Sequence, residues 1–141
     1  MSRRGRLWLA PLLLAGAGCG GDGVLEETTA PPVDGAPTLT SLQSSIFTPK
    51  CAIDGCHAGS SPEQGMNLSD GKTYVYTVGV AAVELPGFLR IAPNDPGGSY
   101  LYMKISGDPR ILGERMPFGG TISAAEIDAI RAWIAAGARN D

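Results

Sequence analysis

The only histidine of this 141-residue chain directly follows a cysteine, and another cysteine lies five positions before that one: residues 51–57 read Cys-Ala-Ile-Asp-Gly-Cys-His. No other segment restricts the fold as strongly, because two thiols that act together have to face the same way. On an ideal α-helix, side chains three apart share a face, whereas side chains five apart diverge by about 140°. The chain therefore has to bulge between the cysteines. Asp54-Gly55 is the expected place, since Gly accepts positive φ and Asp-Gly is a turn signal.

The rest of the chain sets the context for this motif. Gly (20) and Pro (11) make up about 22 % of the residues, against roughly 12 % in average usage, so much of the fold is expected to be loop. The length suits one domain. With 43 % hydrophobic and 18 % charged residues the chain is not intrinsically disordered as a whole. A net charge of −3 excludes a nucleic-acid binder that works by neutralising many phosphates.

Arg3, Arg4 and Arg6 precede an uncharged stretch from Leu7 to Gly21 whose apolar heart is Leu7–Ala15. That run is too short for a membrane-spanning helix, which needs about 20 apolar residues. A basic start, a short apolar run and small residues describe a secretory signal over residues 1–18. Because Ala15-Gly16-Ala17-Gly18 leads into Cys19, the segment resembles a bacterial lipoprotein signal, with Cys19 as the lipidated residue. Gly16 stands where that pattern favours Leu. The alternative is a cleaved signal with an incidental Cys. Removing residues 1–18 takes away three arginines and no acid, moving the net charge from −3 to −6. Export also places the other cysteines where disulfides and thioethers are both open to them. Residues 19–37, rich in Pro and Gly and poor in large apolar groups, read as a flexible linker. The domain proper spans 38–141.

Within it, Thr40 and Gln43 fit a capping box, followed by Leu42, Ile46 and Phe47 on one helical face, with Pro49 ending or kinking the helix. A second capping box, Ser123 and Glu126, opens a helix over Ala124–Ala136, with Ile122 stapled onto Ile127 and Gly137 as the C′ residue. Ile127, Ile130, Trp133 and Ile134 form its apolar face. Between these helices Asp70 is the expected cap of a helix through Tyr74 and Val78. Leu89-Arg90-Ile91 reads as a short extended piece, and Ser99 as the cap of a helix carrying Leu101, Tyr102 and Ile105. The fold class is thus mainly α, small and loop-rich. Such a domain has little core of its own, and a bound group would add to it.

In an exported protein, two cysteines with a histidine directly after the second form the c-type haem attachment pattern, ordinarily with two residues between the cysteines. Here the spacing is two residues longer. A thioether opposite the imidazole would raise the reduction potential and suit electron transfer. Met116 lies in Arg115-Met116-Pro117-Phe118-Gly119-Gly120, an irregular loop able to lie against a flat face. Met103 falls in an expected helix and reads as core. Met66 is only nine residues past His57, leaving little chain to wrap around a haem. Other readings stand beside this one. Cys51 and Cys56 can close a disulfide with His57 at the surface, and Met116 can be a buried gap-filler. Zinc would lack a fourth ligand, and a Cys–His nucleophile lacks an orienting partner.

Taken together, Cys51, Cys56 and His57, Met116-Pro117 with its glycines, and Glu126-Ile127 through Trp133-Ile134 to Gly137-Ala138 resemble a class I cytochrome c domain of bacterial exported proteins. The resemblance covers residues 38–138 and is least specific over 65–98. It implies a cytochrome c-like fold with crossing N- and C-terminal helices. It implies one covalent haem c, attached through Cys51 and Cys56, with His57 and Met116 as axial ligands. Arg115 would then pair with a haem propionate or stay a solvated loop charge. The implied function is electron transfer rather than enzymatic turnover, with periplasmic or membrane redox proteins as partners and a lipid anchor at the cell envelope. A larger oxidoreductase served by this chain would have its catalytic domain elsewhere. The alternative is a haem-free, disulfide-stapled binding module of the cell envelope on the same scaffold.

Overall fold

The computed structural model describes residues 35–141. The expected signal, Cys19 and most of the linker lie outside the described residues. Helix α1 (Leu39–Leu42) is capped by Thr38, whose Oγ1 accepts from Ser41 N at 3.1 Å. The cap expected at Thr40 is thus two residues too late.

Gln43 does not cap the helix. It is buried, and its amide donates to Leu68 O (2.9 Å) and Thr48 Oγ1 (3.0 Å) while accepting from Thr73 Oγ1 (2.6 Å). From Gln43 to Cys51 the chain winds as a π-helix that runs straight through Pro49. Pro has no N–H to give and its ring crowds the carbonyl four residues back. The wider i→i+5 winding, seen in the 2.7 Å bond from Ala52 N to Phe47 O, carries the helix past it. Leu42, Ile46 and Phe47 are all buried, as their spacing predicts.

Helix α2 (Thr73–Thr77) follows Lys72, not Asp70, which makes no cap. Helix α3 (Tyr100–Ser106) does start after Ser99, but the Ser99 hydroxyl turns away from the helix and bonds Asp95 O (2.8 Å) and the main chain of Ala92. Leu89-Arg90-Ile91 is extended and is held from both sides. Ile91 N donates to Thr77 O and Arg90 N to Val80 O, while Tyr100 N and Leu101 N donate to Leu89 O and Arg90 O. Among the described residues these bridges stay isolated, and no strand forms.

Helix α4 (Ala124–Ala135) carries the complete capping box of Ser123 and Glu126. It ends in a Schellman motif: Gly137, at φ 101°, donates to Ile134 O, and Ala138 N reaches Trp133 O at 2.9 Å. The first helix packs on the last. The Phe47 and Trp133 rings meet edge-on, with centroids 6.5 Å apart and planes at 69°. The free N–H groups of Leu39 and Thr40 at the start of α1 are taken up by Asp141, at 2.9 and 3.0 Å. The main core joins Leu42, Phe47, Ile91, Leu101, Ile130, Trp133 and Ile134. A smaller cluster, Ala82, Tyr100 and Met103, lies on another side of α3. Among the described residues every buried side-chain nitrogen and oxygen has a partner, and no helix is long and apolar enough to cross a membrane.

Candidate functional site

The π-helix delivers Cys51 to the edge of a cavity, and the following turn brings Cys56 and His57 to the same wall. The bulge falls where Asp-Gly requires it. Gly55 sits at φ 80°, Cys56 N donates to Ile53 O (2.9 Å), and His57 N closes back onto Cys51 O (3.3 Å). The two thiols, divergent on a helix, therefore line one space. Both are free: Cys51 is half-buried and Cys56 exposed. Burial pushes the Cys51 thiol up to about 11, and the nearby Lys50 offsets only part of that, so the group is a neutral thiol at physiological pH.

The His57 imidazole is half-buried and its Nδ1 bonds the Met66 carbonyl at 3.1 Å. Burial is the main cause that lowers its pKa below the usual 6.5. A neutral ring donating from Nδ1 to a carbonyl carries its lone pair on Nε2, the arrangement found at metal-ligating histidines.

The cavity measures about 530 Å³, within the roughly 300–1,000 Å³ of small-molecule and cofactor sites. Phe47, Leu68, Leu101, Ile105 and Ile130 give it apolar walls. One corner is polar. Lys104 Nζ bonds Leu112 O (2.7 Å) and lies 3.3 Å from Glu84 Oε2, while the Tyr100 hydroxyl donates to Glu84 (3.0 Å) and accepts from Leu112 N (3.0 Å). Nothing in the spacing of Glu84, Tyr100 and Lys104 signals this cluster, because it joins two loops to α3.

Met116 lines the same cavity as the thiols and the imidazole. Its loop is pinned to α3 by the bond from Met116 N to Lys104 O (2.9 Å), and Phe118 projects at the rim, 75 % exposed. Met103 is buried in the smaller cluster and does not reach the wall, as its helical position predicts. Met66, which the sequence sets aside, does line the wall, and its carbonyl holds His57. A main-chain acceptor leaves no signature in a sequence. Arg115 stands outside the wall with its Nε on Ile105 O (2.8 Å). Trp133 stands behind the wall as core, against Phe47.

Among the described residues no three His, Cys, Asp or Glu side chains gather around a metal ion. A haem iron asks for a different set: one imidazole, one thioether, and two thiols at the rim of the ring. All of these residues border this cavity, so the donor set fits that group. Comparison with protein-family models, with curated proteins and with solved structures returned no match to this chain.

Proposed function

We propose that the chain is an exported, single-haem c-type cytochrome that carries electrons, held to the haem by Cys51 and Cys56 and to its iron by His57 and Met116. The observation that carries this reading is the convergence of both thiols, the sole imidazole and the Met116 loop on one cofactor-sized, mostly apolar cavity. The packing of the first helix on the last, with the His57 and Met116 loops lying between them in chain order, supports the class I cytochrome c-like fold.

When bound, haem c supplies a one-electron iron couple. The protein's own residues do the rest. Cys51 and Cys56 would hold the group covalently as thioethers, the products of S–H addition across its vinyl groups, which would need no oxidant. The Met66 carbonyl keeps the proton of a neutral His57 on Nδ1 and frees Nε2 for the iron. The Met116 thioether, as the other ligand, raises the potential. Phe47, Leu101 and Ile130 exclude water from the ring. Residues 1–18 direct export and Cys19 anchors the chain at the cell envelope, where periplasmic or membrane redox proteins are its partners.

The test is the intact mass, under denaturing conditions, of protein secreted from a host with haem-maturation machinery. A retained haem mass with a Soret band is expected. A colourless folded product lighter than the reduced chain by two hydrogens would replace this reading with the disulfide-stapled binding module. In haem-loaded protein, Met116→Ala is expected to change the ligand-field band and lower the potential. An unchanged spectrum, with Met66→Ala altering it instead, would transfer the ligand role to Met66.

A further inference from the structure

Arg90 is only 8 % exposed, and its guanidinium reaches three main-chain carbonyls: Tyr76 O at 2.8 Å, Gly65 O at 3.3 Å and Gln64 O. A buried charge is retained only where its donors are satisfied, and here all three acceptors are backbone. Two of them belong to one turn, in which Gln64 and Gly65 both lie in the left-handed region, at φ 54° and 63°. Left-handed backbone crowds the Cβ of a residue such as Gln64 against the neighbouring carbonyl, so the turn needs external support. The next carbonyl along the chain, that of Met66, is the one that His57 Nδ1 meets. Arg90 itself is fixed, its N donating to Val80 O and its O accepting from Leu101 N. It also borders the cavity.

We infer that Arg90 is a positioning residue: its planar fork holds the Gln64–Gly65 turn so that the Met66 carbonyl fixes the His57 ring, while its positive charge at the cavity wall favours the reduced state of the bound group. Only the redox half of this statement rests on the haem reading. The substitution Arg90→Lys keeps the charge but not the fork, since an ammonium is a point donor. It therefore separates the two effects, and Arg90→Gln removes both.

The experiment compares the secreted protein with its Arg90→Lys and Arg90→Gln variants. The readouts are the reduction potential and the exchange of the His57 Nδ1 proton with solvent. Arg90→Gln is expected to speed that exchange by about tenfold, the loss of roughly one net hydrogen bond, and to lower the potential. Arg90→Lys is expected to speed exchange while keeping the potential closer to that of the parent. Folded variants with both readouts unchanged would overturn the inference. If Arg90→Gln does not fold, Arg90→Lys alone decides the positioning half. If the parent protein carries no haem, the haem reading fails and the redox half with it. The ratio of ring tautomers, read by nitrogen NMR in that haem-free chain, then decides the rest. A parent held as the Nδ1–H form and a mixed Arg90→Lys variant would support the clamp, and an unchanged ratio would refute it.

Discussion

Trp133 shows how much of this domain hangs on single side chains. It is 1 % exposed, meets Phe47 edge-on, and donates from Nε1 to Arg139 O at 2.9 Å. Trp133→Ala leaves a hole and an unpaired carbonyl, and should cost about 3–5 kcal/mol, a large share of the roughly 5–15 kcal/mol that holds a typical domain folded. Phe118→Ala, at a residue 75 % exposed, should change stability by no more than about 0.5 kcal/mol. Urea denaturation of the two variants checks this, and equal losses would mean that Trp133 contributes no more to the core than an exposed side chain. The residues whose chemistry lies in a rare side chain were legible in the sequence: Cys51, Cys56, His57 and Met116 all border the cavity. The groups that orient them were not. The Met66 carbonyl has no side-chain signature, and Arg90 looks like any surface arginine until the carbonyls of Gln64, Gly65 and Tyr76 are seen around it.

At the scale of elements, α4 could be read from sequence because both of its ends are specified locally, by Ser123 with Glu126 and by Gly137. The first helix could not. Its π-winding depends on where Gln43 finds partners, at Leu68 and Thr73, and on how Pro49 is accommodated. Asp70 misled for a similar reason: the cap chemistry was present, but the helix starts three residues later. Glu126 links the two elements, receiving Ser123 N on Oε2 (2.8 Å) while Lys50 Nζ lies 2.7 Å from its Oε1. The Lys50 ammonium, with the Ser123 donors, holds its carboxyl at about 2 against an ordinary 4.5. A lowered folded value means that this charge stabilises the protein fully above about pH 4.5 and progressively less as pH falls through 2. Both side chains are partly open to water, so screening limits the contribution to about 1 kcal/mol or less. Glu126→Gln should lower stability at pH 7 and flatten its decline between pH 4.5 and 2. Denaturation midpoints across that range measure this, and an unaltered acid limb would show that the pair contributes nothing.

At the scale of the molecule, the cavity touches both apolar clusters, through Phe47, Leu101 and Ile130 on one and Ala82 and Tyr100 on the other. A ligand that binds the folded chain alone raises its stability by mass action, by about 2.7 kcal/mol at a hundred times the dissociation constant. The Cys51→Ala/Cys56→Ala chain, unable to attach haem covalently, should therefore melt higher as haemin is added, and a folded variant with a constant midpoint would argue against the cavity as the haem site. The consequence reaches past stability. Helix α3 sends Leu101 and Ile105 into one cluster and Tyr100 and Met103 into the other, and the cavity lies against both through Leu101 and Tyr100. On the proposed reading, a portion of this protein's interior is a molecule that its own gene does not encode.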